Sequence, residues 1–172
     1  CSLVGSEMCI RDRYSVELYS LTKGYSMAGW RVGFAVGNSD AVGALTKLKS
    51  YIDYGTFQPI QIASTVALNE LDDYPFELST VYKERRDLVQ EYLEDLEFIV
   101  QESDATMFVW AKLPKRFNKD SLKFSLDILE KSNVAISPGI GFGKFGEGHI
   151  RIALVENKQR IRQAMKNIKA AL

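Results

Sequence analysis

Two segments of this sequence carry residue types that can do chemistry. In the first, SLTKGYSMAGWRVG (residues 20–33), Lys23 follows the hydroxyl residues Ser20 and Thr22 and precedes Arg31. Hydroxyl groups, backbone N–H groups and a guanidinium fork together suit a phosphate. A cationic neighbour also favours the neutral form of a lysine amine, which is the nucleophilic form and can form Schiff bases. The spacing alone is equally compatible with a solvated loop lysine and a strand-end arginine.

The second segment lies near the C-terminal end, where Arg151 interrupts the apolar run HIRIALV. A buried guanidinium group needs an anion, so this pattern indicates an anion site. The alternative is an edge-strand arginine that pairs with Glu147 or Glu156. His149 is the only histidine of the sequence; we assign it no role beyond packing beside such a site.

Five glycines precede that strand, at positions 139, 141, 143, 146 and 148. Nucleotide-binding glycine loops lead from a strand into a helix whose N-terminus receives the phosphate. This loop leads from one predicted strand to another, which argues against a nucleotide. We therefore expect a mobile segment that folds over a ligand.

The elements that must position these residues follow from hydrophobic periodicity and capping signals. The first half predicts strands over 15–20 and 30–37, then helices over 40–52 and 59–71, the second of them buried. The second half predicts a helix over 75–96, strands over 98–100 and 107–110, a helix over 120–132, strands over 134–136 and 149–155, and a helix over 157–171. Leu122, Leu126 and Leu129 recur at helical spacing. This order is α/β at first and α+β later, in two layers.

The composition is that of a soluble globular protein, with 46% hydrophobic and 26% charged residues. Lys+Arg and Asp+Glu both number 22, which gives no basic footprint for nucleic acid and no reason to expect a membrane partner. No apolar run reaches the roughly 18–20 residues that span a bilayer. We expect a cytoplasmic protein.

The first thirteen residues, CSLVGSEMCIRDR, contain both cysteines and show neither periodicity nor a capping signal. They resemble translated sequencing-adapter read-through, so we expect segment 1–13 to be non-native or disordered. The alternative is a genuine, poorly ordered N-terminus. The remaining chain has no cysteine, which excludes disulfide frameworks and cysteine-ligated zinc there, and we predict no metal site.

The lysine segment resembles the signature of class I/II aminotransferases, which are fold type I pyridoxal-phosphate enzymes. That signature has a serine three residues before the lysine, an aromatic residue two after it, and then G-x-R-x-G. Every position is filled here, by Ser20, Lys23, Tyr25, Gly29, Arg31 and Gly33. The details MAGWRVGF, SPGIGFG and HIRIALVEN are most similar to the alanine (glutamate–pyruvate) aminotransferase subgroup, with LL-diaminopimelate and aspartate/aromatic aminotransferases as alternatives.

The resemblance implies a role for each residue. Lys23 would hold pyridoxal phosphate covalently and act as the catalytic base and acid, while Ser20 and Arg31 would bind the phosphate. Arg151 would bind the α-carboxylate of the amino acid and 2-oxo acid substrates. The loop 53–59 would reach the active site of the second subunit in a homodimer, with Tyr54, Thr56 and Gln58 as candidate contacts. A plain inter-helix loop is the alternative there.

A complete family member is about twice as long as this chain, which therefore resembles the C-terminal part. We assign residues 14–75 to the end of the cofactor-binding large domain and 76–172 to the small α+β domain, and we expect the fragment alone to be inactive. Two other functions stay open. One is a fold type I lyase or synthase with the same residues, and the other is the aminotransferase-like effector domain of a transcription regulator.

Overall fold

The computed structural model describes residues 14–117 and 120–172 of the chain. The predicted segment 1–13 lies outside the described residues. The chain divides into two compact units, with the boundary between Leu78 and Ser79.

The first unit is built on a pair of antiparallel strands, β1 (Val16–Ser20) and β2 (Gly33–Gly37), in which Ser20 stands opposite Gly33. A four-residue helix, α1 (Leu21–Gly24), and a 3₁₀ turn over Ala28–Trp30 connect them. Two longer helices follow, α2 (Ser39–Ile52) and α3 (Gln58–Glu70). Asn38 caps α2, its side chain accepting a hydrogen bond of 2.9 Å from the amide of Ala41.

Two expectations for this unit are wrong. The second strand begins at Gly33, not at residue 30, because Arg31 has a left-handed backbone (φ 52°) that no strand accommodates. The helix α3 is not buried: only Ser64 and Ala67 on it are, while Ile62 is 57% exposed. The buried apolar core of the described part of this unit consists of Leu21, Met27 and Ala67, so little of α3 has anything to pack against.

The second unit has a four-stranded antiparallel sheet and most of a long helix. The helix is α4 (Tyr74–Asp95), within which the unit boundary falls. The sheet has the order β3-β4-β6-β5. Its strands are β3 (Ile99–Val100), β4 (Phe108–Lys112), β5 (Ser137–Pro138) and β6 (His149–Ala153), and two further helices are α5 (Ser121–Ser132) and α6 (Lys158–Ala171).

One face of this sheet is buried in the core. Side chains alternate along a strand, and Val109, Ala111 and Ile150 are at most 3% exposed. They belong to a cluster with buried side chains of all three helices, among them Leu93, Ile128 and Met165. The opposite face, which carries Trp110, His149 and Arg151, is only half-buried.

Helix α5 turns a different side to the core than its leucine spacing suggests. Phe124 and Ile128 are buried, whereas Leu122, Leu126 and Leu129 are 44–56% exposed. The strand predicted over 134–136 is also displaced, because the pairing with β6 occurs at Ser137 and Pro138. None of the helices in the described ranges combines the length and the apolar character that crossing a bilayer demands.

The glycine segment between β5 and β6 is two 3₁₀ turns, Gly139–Phe142 and Lys144–Gly146, packed back to back. A Cβ atom on Gly139 would lie 2.0 Å from the carbonyl oxygen of Gly146, and a Cβ on Gly146 would lie equally close to that of Gly139. Both glycines are buried. Two backbones therefore touch here, and only glycine fits at either position.

We expect Gly146→Ala to destabilise the second unit by about 1–3 kcal/mol, because the added methyl group would overlap a backbone oxygen that cannot move alone. Gly141→Ala is the matched control, since a Cβ there meets no atom within 4 Å. Urea unfolding followed by the fluorescence of Trp110, in a Trp30→Phe background, measures the difference. Equal unfolding midpoints for the two variants would contradict the close contact.

Candidate active site

Ser20 occupies the junction between β1 and α1 and is the N-cap of that short helix. Its side-chain oxygen accepts a hydrogen bond of 3.2 Å from the backbone amide of Thr22. A hydroxyl that accepts one hydrogen bond still has its own hydrogen to donate. Ser20 is exposed, so this donor is accessible to a ligand.

The turn that carries Lys23 is fixed by Leu21, which is fully buried. The amide of Leu21 donates to the carbonyl oxygen of Val32 at 3.4 Å, and its own carbonyl accepts from Tyr25 and Met27 at 3.1 and 3.3 Å. Lys23 is exposed, and none of the hydrogen bonds and ion pairs among the described residues involves its amine. The backbone of the turn is thus anchored while the amine stays available.

Arg31 follows the 3₁₀ turn and precedes β2 with its backbone in the left-handed region. One guanidinium nitrogen, Nη1, donates to the carbonyl oxygen of Ala28 at 3.3 Å. Gly33, two residues later, allows the close pairing with β1, because a Cβ there would lie 2.6 Å from the carbonyl oxygen of Tyr19. The ladder therefore brings Ser20, Lys23 and Arg31 to the same end of the strand pair.

These three side chains fit pyridoxal phosphate, the cofactor that the sequence resemblance implies. A hydroxyl donor and a guanidinium group suit the phosphate, and a primary amine suits the aldehyde. None of the three forms an ion pair with another residue of the described chain, and Arg31 donates one hydrogen bond, to the carbonyl oxygen of Ala28. Each side chain therefore has at least one donor left for such a group. In the same described residues no cluster of three or more histidine, cysteine and acidic side chains could hold a metal ion.

Tyr74, at the start of α4, also supports this turn and is not evident from the sequence. Its ring stacks on that of Tyr25, with centroids 6.4 Å apart, and its hydroxyl donates to the side-chain oxygen of Ser26 at 3.0 Å. Tyr25 was visible only as a position of the lysine signature. Its partner lies 49 residues away in the chain, so no local pattern could identify it.

The three loop candidates form no hydrogen bond or ring contact with this cluster in the described residues. Tyr54 is 96% exposed with a left-handed backbone, Gln58 begins α3, and the carbonyl of Thr56 accepts a hydrogen bond from the Gln61 side chain. None of the contacts recorded for them in the described ranges reaches Ser20, Lys23 or Arg31. Beside them, hydrogen bonds from Lys49 and from the amide of Gly55 lower the pKa of the Asp53 carboxyl.

Arg151 lies in the second unit, on β6 between β4 and β5, and so on an interior strand of the sheet. The alternative of an edge-strand arginine paired with Glu147 or Glu156 is therefore wrong. Glu156 pairs with Arg160 instead. The Nε atom of Arg151 is buried and has no hydrogen-bond partner among the described residues.

Aromatic rings surround the Arg151 guanidinium group in place of a carboxylate. Its Cζ atom lies 4.1 Å from the ring centroid of Phe108 and 4.2 Å from that of Phe142. Trp110, directly opposite Arg151 on β4, contacts Phe142 edge-on at 5.7 Å and stacks on His149 at 5.5 Å. Phe108 and Trp110 are two residues apart on one strand and so lie on the same face of the sheet. This spacing is the sequence signal for the aromatic face around Arg151.

Glu147 ties the glycine segment to the start of α5. Its Oε1 atom accepts hydrogen bonds from the amides of Ser121 at 2.6 Å and Gly148 at 3.0 Å. These two bonds, the one from Ser121 first, lower the pKa of the Glu147 carboxyl. The Ser121 side chain in turn accepts from the amide of Ile140 at 3.1 Å, so both ends of the segment are fixed to the same helix terminus.

Comparison with known proteins gives a consistent result. Residues 9–168 match the family model for aminotransferases of class I and II. The chain is 46% identical over 157 residues to the glutamate-pyruvate aminotransferase AlaC of Escherichia coli, covering 91% of this chain and 38% of that protein. It is 48% identical over 154 residues to an LL-diaminopimelate aminotransferase of Natranaerobius thermophilus, covering 90% and 39%.

A solved structure is similar as well. The probable N-succinyldiaminopimelate aminotransferase of Thermus thermophilus superposes with a TM-score of 0.85 at 35% identity, over 94% of this chain and 43% of that one. The chain thus spans about two fifths of the length of the relatives it matches.

The Glu147 contacts predict a pH-dependent contribution to stability. Since the pKa is lowered in the folded chain, the contribution is complete above the ordinary value of about 4.5 and is lost as the pH falls through the lower folded value. We expect Glu147→Gln to unfold at a lower urea concentration than the unsubstituted chain at pH 7. The gap should narrow as the pH falls below that ordinary value. A gap independent of pH would show that the carboxylate charge has no part in the cap.

Proposed function

The chain belongs to the class I and II aminotransferase family, and we propose that the full-length protein transfers an amino group from an L-amino acid to a 2-oxo acid. Members of this family use pyridoxal phosphate and have fold type I. The observation that carries the proposal is the position of Ser20, Lys23 and Arg31 at one end of the β1–β2 pair, each with at least one donor that the described chain does not use. We assign residues 14–75 to the end of the large domain and 76–172 to the small domain.

Each of these residues has a distinct task in the proposal. Ser20 and Arg31 hold the phosphate of the cofactor, and the Lys23 amine holds its aldehyde carbon. When bound, pyridoxal phosphate supplies the electron-withdrawing ring that stabilises negative charge at the substrate Cα. The Lys23 amine, once free, would accept the proton from Cα as a general base and deliver it to the C4′ carbon of the cofactor as a general acid.

Arg151 binds the substrate α-carboxylate in this proposal. Its guanidinium group has no carboxylate partner in the described chain, and its buried Nε atom has an unused hydrogen. A planar guanidinium fork matches a carboxylate with two parallel hydrogen bonds. The anchor would orient the amino acid and the 2-oxo acid alike, because both carry that group.

For the substrate pair we propose alanine and glutamate with pyruvate and 2-oxoglutarate. The support is the sequence details shared with the glutamate–pyruvate subgroup and the similarity to AlaC. The second candidate is LL-diaminopimelate, supported by the similarity to the protein of Natranaerobius thermophilus. A homodimer, with Tyr54, Thr56 and Gln58 facing the second active site, and a cytoplasmic location stay predictions.

We expect Lys23→Ala in the full-length protein to lower turnover by at least about 100-fold, because the proton-transfer group is removed. Borohydride reduction in the presence of pyridoxal phosphate should also no longer attach the cofactor to the peptide that contains residue 23, as measured by mass spectrometry. Lys47→Ala, an exposed lysine on α2, is the matched control and should change neither result. Near-normal turnover of the Lys23 variant would refute the assignment.

Substrate choice is tested on the purified full-length protein. With 2-oxoglutarate as acceptor, we expect L-alanine to give glutamate with a higher kcat/KM than LL-diaminopimelate or L-aspartate. A preference for LL-diaminopimelate would move the assignment to the second candidate. Release of ammonia or of an eliminated group, without formation of glutamate, would instead indicate a lyase or synthase.

A further inference from the structure

We propose that Phe108 and Phe142 are positioning residues that hold the Arg151 guanidinium group in the orientation in which it binds a carboxylate. This inference rests on the proposed function, in which Arg151 is the carboxylate anchor. The inference assigns a function to Phe108 and Phe142, which contact Arg151. The sequence motif around Arg151 does not indicate that function.

Aromatic rings hold the Arg151 guanidinium group where an acceptor group would be usual. Buried and partly buried arginines are ordinarily fixed by carboxylates or carbonyl oxygens. In the described chain the Arg151 guanidinium group has neither, and its Nε atom is both buried and unpaired. The group contacts the two rings instead: its Cζ atom lies 4.1 Å from the ring centroid of Phe108 and 4.2 Å from that of Phe142.

Contact with a ring leaves the hydrogen-bond donors of a guanidinium group available. A guanidinium group that lies over aromatic rings is covered on its flat face, and its N–H donors then point outward in its own plane. A carboxylate approaches a guanidinium fork in that plane. Rings can thus fix the orientation of the group without using any of its donors, whereas a fixed carboxylate partner would occupy the donors that the substrate needs.

The contact of the two rings with Arg151 is distinct from packing in the core. Phe142 is 50% exposed, and neither ring belongs to the hydrophobic core of the unit. Phe142 is held in place by Trp110, whose ring meets it edge-on. Leucine at position 142 would therefore keep most of the packing and remove the cation–π contact.

The test is a titration of the full-length protein with pyruvate at constant ionic strength, followed by the NMR signal of the Arg151 Nε–H group. The signal is assigned by its loss in Arg151→Gln. We expect pyruvate to shift it in the unsubstituted chain and pyruvamide, which lacks the carboxylate, to leave it unchanged. In Phe142→Leu the dissociation constant for pyruvate should rise about 2- to 30-fold, the range of a cation–π contact.

Two control variants separate positioning from general damage. Phe142→Tyr keeps the ring and should restore the affinity. Phe145→Leu alters a ring on the same segment that is 89% exposed and contacts Lys144, not Arg151, so it should bind pyruvate normally. The Nε–H signal without ligand should move in Phe142→Leu and stay in place in Phe145→Leu, because only the first ring shields it.

The outcomes distinguish this inference from the proposed function. If pyruvate shifts the Nε–H signal and Phe142→Leu binds it as tightly as the unsubstituted chain, the positioning role is overturned and the carboxylate anchor stands. If pyruvate leaves the Arg151 signal unmoved, the anchor itself is overturned, and the positioning role with it. A loss of affinity in Phe142→Tyr equal to that in Phe142→Leu would also overturn the positioning role.

Discussion

The contact between the backbones of Gly139 and Gly146 is the constraint on which the half-buried face of the second unit's sheet, with Arg151, depends. It folds the segment back on itself, so that Phe142 ends the first turn and Glu147 follows the second. Phe142 then reaches Arg151, and Glu147 reaches the amide of Ser121. A glycine-rich segment is usually read as a flexible one. Here the glycines allow two chain segments to approach more closely than side chains permit.

The arginines of the two candidate anion sites, Arg31 and Arg151, differ in how their positive charge is stabilised when no anion is bound. Arg31 is exposed, and solvent screens its charge when no ligand is bound. Arg151 is half-buried and borders on aromatic rings, whose faces offer a cation only part of the stabilisation that a carboxylate gives. The positive charge of Arg151 is therefore only partly compensated and attracts an anion. The surrounding rings also limit the access of water that would compete with that anion for the guanidinium group.

The sequence was informative wherever a pattern is local. The helices over 40–52, 75–96 and 120–132 were predicted to within one or two residues, because caps and periodicity lie within each helix. Helix α5 shows the limit: Phe124 and Ile128 have the same spacing as Leu122 and Leu126, so periodicity could not say which pair meets the sheet.

In the candidate sites, too, local motifs could be identified from the sequence and long-range contacts could not. Ser20, Lys23, Arg31 and Arg151 came from local motifs, whereas the contact of Tyr74 with Tyr25 and that of Glu147 with Ser121 join residues 26 or more positions apart. The strand predicted to include Arg31 failed for another reason. An apolar run indicates an extended chain, and nothing in the run marks a single residue with positive φ.

That backbone conformation has a consequence for how position 31 can evolve. A residue with a side chain loses about 1 kcal/mol in the left-handed region, which glycine adopts freely. Folding stability alone would thus favour glycine there, whereas the proposed phosphate-binding role needs the arginine side chain. Under that proposal, position 31 trades stability for activity, because a substitution that relaxes the backbone would also remove the phosphate-binding group.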